Sequence, residues 1–322
     1  MADCKCLQVE HVPHHTCFFA LPHCPYHHMF PMAALQLTIV LVMFFFLQLF
    51  SGARSSTFTI INKCSYTVWP GVLSSAGIPP LSPTGFVLQQ GESKSIDVPT
   101  SWSGRLWGRT LCTQDSSGKF TCLTGDCGSS TIECSGAGAI PPATLAEFTL
   151  NGASGLDFYD VSLVDGYNLP MMVSPHGGKG GNCSSAGCAA ELNGNCPLEL
   201  KVVDRSEGVA CNSACNAFGD PKYCCSGAYS TPNTCKPSSY SKFFKAACPT
   251  AYSYAYDDGT STFTCAGADY VITFCPTTPS TSLKTSDPMA VDISASSRST
   301  SSALIAGAIT SLAIIWQFWH LF

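Results

Sequence analysis

Sixteen cysteines lie between Cys64 and Cys275, and they constrain this chain more than any other feature. The number is even. The stretch follows an uncharged apolar run, AALQLTIVLVMFFFLQLF at 33–50, which closes on Ser51-Gly52-Ala53. Small residues at the third and last positions before a cut suit signal peptidase, so cleavage after Ala53 is predicted, with an uncleaved signal anchor as the alternative. Either reading delivers the cysteines to an oxidising compartment, where sixteen free thiols do not persist and a disulfide framework forms. Long-range bridges constrain the unfolded chain most, at roughly 3–5 kcal/mol each in the entropy account. The count leaves connectivity open, since sixteen cysteines allow about two million pairings. A zinc reading of this region is weak, because it holds a single histidine, His176.

The two ends read as addresses. Residues 1–31 carry four cysteines and six histidines, which is either a zinc tract or a leader preceding a start at Met32. The leader reading puts the signal peptide, 32–53, at the N-terminus where such signals belong. Against it, a Met32 start leaves no Lys or Arg ahead of the apolar run. Residues 303–322 are again uncharged and follow a Ser/Thr-rich spacer at 277–302. Small residues, a polar spacer and an apolar tail are the pattern of a glycolipid-anchor signal, with Ser294 in Ser294-Ala295-Ser296 as the attachment residue. A spanning helix is the alternative, although nothing basic follows the tail to hold a cytoplasmic side. A soluble product is the third possibility.

The body between these ends holds 12 Lys and Arg against 17 Asp and Glu, and so carries the full net charge of −5. Nucleic acid is excluded as a partner, because phosphate backbones require clustered cations. Short β-branched or aromatic runs bounded by Gly, Pro, Ser or Asn predict strands at 57–64, 66–73, 105–112, 144–150, 157–164 and 270–275. Many short strands without long helices between them give an all-β sandwich or barrel. One segment, Ser206 to Gly219, predicts a helix with Asp204 or Ser206 as its N-cap, Gly219 as its stop, and Cys211 and Cys215 on one face. Nine of the sixteen cysteines fall between Cys183 and Cys248, marking a disulfide-rich subdomain. No cofactor is expected: Gly177-Gly178-Lys179-Gly180-Gly181 lacks the Lys-Ser/Thr ending of a phosphate loop and reads as a flexible loop. No metal is expected in the body. Asn182-Cys183-Ser184 is a formal glycosylation acceptor at Asn182.

Several motifs carry a resemblance. The run Gly118-Lys119-Phe120-Thr121-Cys122-Leu123-Thr124-Gly125-Asp126-Cys127 is similar to the signature of the thaumatin-like, pathogenesis-related proteins of plants, although Ser130-Thr131 stands where a Gly-Gln pair is usual. Pro141 to Phe148, Asp157 to Asn168, the opening Cys64-Ser65-Tyr66-Thr67-Val68-Trp69-Pro70 and the closing Phe274-Cys275-Pro276 match as well. The resemblance covers about 57–276 and all sixteen cysteines. It implies a thaumatin-like β-sandwich with a disulfide-rich helical subdomain and a small loop subdomain. Within a domain at 54–276, the sandwich would occupy about 56–109, 143–189 and 249–276, the loop subdomain 110–142 and the disulfide-rich subdomain 190–248. By cysteine order it implies the bridges Cys64–Cys275, Cys112–Cys122, Cys127–Cys134, Cys183–Cys265, Cys188–Cys248, Cys196–Cys211, Cys215–Cys224 and Cys225–Cys235.

The resemblance also implies an acidic cleft, carried residue by residue onto Arg105, Glu147, Asp160, Asp165 and Asp257. Glu147 and Asp160 would be the catalytic pair if there is catalysis. Carboxylates crowded in one groove raise one another's pKa, and two carboxylates flanking a glycosidic bond are the minimum for sugar hydrolysis. Asp160 and Asp165 are five apart, so they share a groove only if the chain bends, and Asp165-Gly166 offers the turn. Tyr159 and Tyr167 are candidate sugar-contacting rings, together with Phe158, Tyr252, Tyr254 and Tyr256. Strand alternation sends one of Phe158 and Tyr159 into the core. Three functions follow as expectations: a cell-surface defence protein binding β-1,3-glucan of fungal walls, an endo-β-1,3-glucanase, or a non-catalytic wall or receptor-associated module. A monomer is expected.

Overall fold

The computed structural model describes residues 55–276, and in the first apolar run Gln36, Ile39, Val40, Val42 and Met43, which are helical. The expectations for 1–31, for most of 32–53, for the spacer and tail at 277–322 and for Ser294 lie outside the described residues. Among the described residues no helix is long and apolar enough to cross a membrane.

Among the described residues, fourteen strands account for most of the regular structure. They are β1 Ser56–Asn62, β2 Trp69–Ser74, β3 Ser93–Val98, β4 Ser103–Gln114 and β5 Phe120–Thr124. Next come β6 Leu145–Thr149, β7 Asp157–Ser162, β8 Met171–His176, β9 Lys179–Gly181 and β10 Ala186–Cys188. The series ends with β11 Lys201–Asp204, β12 Glu207–Cys211, β13 Phe263–Ala266 and β14 Asp269–Phe274. A five-stranded sheet runs β10-β8-β14-β1-β3, and a seven-stranded sheet runs β2-β4-β6-β7-β13-β9 with β5 added on β4. All six expected strands are present within a few residues of their expected bounds.

The two sheets meet through the alternate residues that period-two strands send to one face. Phe58 and Ile60 of β1, Tyr270 and Ile272 of β14, and Val173 of β8 are buried against Phe148 of β6 and Tyr159 and Val161 of β7. The rings interlock across the interface: Phe58 lies 4.4 Å from Phe148, and Tyr270 5.1 Å from Tyr159, centroid to centroid. A smaller core of Trp107, Cys127, Cys134, Ala143 and Leu145 sits beneath the loop region that follows β4.

The eight bridges are those the resemblance implies. Topology explains the first. Strands β1 and β14 pair in parallel, so Cys64 and Cys275 leave the sheet at the same end, with Cα atoms 4.9 Å apart. The adjacent Cys224 and Cys225 bond to different partners, Cys215 and Cys235.

Two local expectations need correction. Residues 207–211 are strand, not helix: β12 pairs antiparallel with β11 through Val202↔Ala210 and Lys201↔Cys211. Arg205 and Ser206 both take positive φ and turn the chain, and Cys211 exchanges two backbone hydrogen bonds with Tyr167. The helix begins only after Ser213, whose side chain accepts from Asn216 N, and spans Ala214–Phe218 before Gly219 in the left-handed region. Cys211 therefore shares no helical face with Cys215. The glycine run at 177–181 is not wholly a loop either, because 179–181 form β9 against β13. Glycine is needed there for close approach: a Cβ on Gly178 would stand 2.2 Å from Cys265 Sγ.

Candidate functional site

Three neighbouring strands place three charged side chains in one row. In the antiparallel ladders Arg105 of β4 stands opposite Glu147 of β6, which stands opposite Asp160 of β7. Directly opposed positions bring Cβ atoms to about 4.5–5.5 Å. Their chain neighbours, Leu106, Ala146, Phe148, Tyr159 and Val161, are buried between the sheets, so the row faces the other way. A groove of about 320 Å3 runs over it, lined also by Ser162, Val164, Asp165, Tyr252, Ala255 and Asp258. A second hollow of about 260 Å3 shares Arg105, Glu147 and Asp160 with it and continues past Phe158 and Thr149.

The bend that brings Asp165 to the groove is built by Gly166. Strand β7 ends at Ser162, Gly166 N donates back to Leu163 O, and Gly166 sits at φ +89°. A Cβ there would meet Cys211 O and Pro142 Cβ, each at 2.7 Å, so only glycine fits. The opposite wall is the 252–258 segment. Tyr252 N donates to Val161 O and Leu163 N to Tyr252 O, which locks this wall to the end of β7.

The electrostatics follow from burial. The Arg105–Glu147 ion pair is loose, at 3.8 Å, and its side chains are 43% and 36% exposed. Such a pair is worth little stability, but it keeps a cation over the carboxylate. Burial pushes the Glu147 carboxyl up, Arg105 pulls it back, and Asp165 adds to the rise. Asp160 lies deeper. Burial first, then the charges of Glu147 and Asp258, push its carboxyl up to about 8. Its Oδ1 is shut off from solvent and has no hydrogen-bond partner. The groove thus sets the Asp160 carboxyl, which keeps its proton near neutrality, beside Glu147, whose carboxyl burial raises and Arg105 draws back.

The structure brings Arg105, Glu147, Asp160 and Asp165 together, but not every candidate joins them. Asp257 is a correction. Its Oδ2 accepts from Ser253 N and Ser253 Oγ and pairs with Lys245 at 2.9 Å, so it clamps its own loop. Asp258, next in sequence, lines the groove instead and accepts from the Tyr252 hydroxyl at 2.8 Å. Tyr159 and Tyr167 are also corrections. Both are buried in the core, where their hydroxyls donate to Ser184 O and Ala190 O, and neither lines the groove. Alternation assigned Phe158 and Tyr159 to opposite faces, and Phe158 is the one on the groove side. Tyr252 is the tyrosine on the wall; Tyr256 donates to Ser230 O. Ser162, Val164 and Ala255 carry no signal in sequence that marks them as wall residues. Asn182 is exposed, with its Oδ1 accepting from Thr264 N. Among the described residues no three His, Cys, Asp or Glu side chains are placed to hold a metal ion.

Two packed sheets, eight bridges among the described residues and a row of charges on one sheet face define a class of stapled β-sandwich that carries an open acidic trough. The chain belongs to the thaumatin family, whose model matches residues 62–276. It is 58% identical over 234 residues to "Thaumatin-like protein 1" of Arabidopsis thaliana, covering 71% of this chain and 89% of that protein. It is 53% identical over 243 residues to "Glucan endo-1,3-beta-glucosidase" of Prunus avium, covering 74% and 98%. A third relative, "PR5-like receptor kinase" of Arabidopsis thaliana, is 53% identical over 248 residues, which are 76% of this chain and 37% of that protein.

Proposed function

We propose that the trough binds a neutral polysaccharide of the β-1,3-glucan type and that the protein serves plant defence against fungi outside the cell. The row Arg105–Glu147–Asp160 carries this reading. A neutral sugar brings no charge to be repelled by the acidic groups of the trough, and its hydroxyls can donate to their oxygens. Phe158 and Tyr252 line the two hollows over the row, and aromatic rings can pack on pyranose C–H surfaces. Slow endo-hydrolysis would then use Asp160 as the protonated acid and Glu147 as the carboxylate. The similarity to a glucan endo-1,3-beta-glucosidase supports this second step.

Incubation of the purified protein with laminarin, scored for both pull-down and new reducing ends, tests the reading. Binding with turnover supports a glucanase, and binding alone supports a lectin-like role. Neither outcome leaves the interaction-module reading, which the similarity to a receptor kinase favours. Membrane attachment through a lipid at Ser294 belongs to the same proposal. Phosphatidylinositol-specific phospholipase C would release an anchored protein, whereas a spanning helix would need detergent.

A further inference from the structure

A cavity of about 570 Å3 lies away from the trough. Arg105 stands near one end of β4 and Leu111 near the other, roughly 20 Å apart at 3.3 Å per residue, so the two sites are separate. The volume falls within the roughly 300–1,000 Å3 of small-ligand sites. Its wall combines the rings of Tyr66 and Trp69, the aliphatic side chains of Leu111 and Val209, the carboxylate of Glu191 and the carboxamide of Asn193.

Three features of this wall bear on what it can hold. Leu111 sits at φ +52°, a conformation bulky L-residues rarely adopt, and it presents a side chain that is 50% exposed. Asn193 donates through Nδ2 to Asn168 O, while its Oδ1 is shielded from water and has no donor. Tyr66 is 42% exposed at the rim, and burial, followed by the nearby Glu191 charge, pushes its hydroxyl up to about 12.

We propose that this cavity is a second, non-catalytic sugar site, taking one pyranose unit of a neutral oligosaccharide. Glu191 Oε1 accepts from Asn193 N at 3.0 Å, and the remaining acceptor sites of this exposed carboxylate call for an occupant that brings donors. Glu191 is the only charged side chain on the wall, and it repels anions. The exposure of Tyr66 and Leu111 means that only one face of the occupant is covered. A pyranose has one apolar C–H face for the rings and aliphatic groups, and a hydroxyl rim for Glu191 and water. A wholly apolar molecule would leave its other face in water. The inference goes beyond the trough and does not rest on its function.

Photo-crosslinking of the full chain with a diazirine-bearing laminaritetraose, followed by peptide mapping, tests it. Labelling is expected at peptides holding Tyr66–Trp69 and Glu191–Asn193, competed by plain laminaritetraose and undiminished in an E147Q/D160N variant. Glu191→Ala, on an exposed loop, should cut that labelling at least fivefold while trough peptides are labelled as before. Tyr66→Ala should do the same, with its melting temperature confirming a folded chain. Labelling confined to trough peptides would overturn the proposal. So would labelling of the Tyr66 peptide that benzylammonium competes and laminaritetraose does not.

Discussion

Replacing Asp160 with Asn should stabilise this protein, and more so as pH rises. In the unfolded chain the Asp160 carboxyl ionises near its ordinary value of 3.8, but in the folded chain it keeps its proton up to about 8. The folded state therefore binds more protons than the unfolded state throughout that window. Stability present below pH 3.8 is lost as pH climbs toward 8. With 1.36 kcal/mol per pH unit between the two midpoints, the loss is about 3 kcal/mol at pH 6 and about 5 kcal/mol at pH 8. Asparagine has no charge to desolvate and is nearly isosteric, so this pH-dependent cost disappears. At about 2–4 °C per kcal/mol for a domain of this size, the gap between D160N and wild type should widen by about 6–12 °C between pH 3 and pH 6. Differential scanning calorimetry across that range would measure it. A gap that is constant with pH, or D160N melting below wild type throughout, would refute the reading of Asp160 as a buried, protonated carboxyl.

If the trough hydrolyses glucan, activity should fall as pH passes about 8, because Asp160 then loses the proton it donates; a reducing-end assay against pH would show this limb. Glu147→Gln should lower turnover by about 10²–10⁴-fold, the usual worth of such a group, with pull-down of laminarin nearly unchanged. Arg109→Met should destabilise by about 3 kcal/mol in urea titration, because this fully buried guanidinium donates to Trp69 O, Pro70 O and Ile132 O and its loss strands all three carbonyls. Cys64→Ser should cost several kcal/mol in the same assay, since the bridge to Cys275 closes a separation of 211 residues.

Much of this protein was legible in its residues. The alternation in β1 and the short bounded strands such as β6 and β7 predict an all-β body, because burial of one face imposes a period of two whatever the partner. Membership of a cysteine-ordered family supplied the bridges, which no count could. The trough was partly legible: Arg105, Glu147 and Asp160 lie in motifs, and Asp165-Gly166 announces its turn. The remainder depended on which strand lies beside which. The stretch 207–211 had a helical local pattern, yet β11 lay close enough to take its hydrogen bonds, and pairing outweighed propensity. Asp257 and Asp258 are adjacent and chemically equal. Only the position of Lys245 and Ser253 draws the first into its loop and leaves the second on the wall. Tyr159 and Tyr167 could as well have lined a groove by composition, and the opposing sheet decided that they fill the core. The sequence by itself determined the stapled β-scaffold and the inventory of acids, since both follow from residue identity and local period. Tertiary structure alone decided the register that aligns Arg105, Glu147 and Asp160, and with it the burial that keeps the proton on Asp160, because the dielectric around a carboxyl is set by chain segments far from it in sequence.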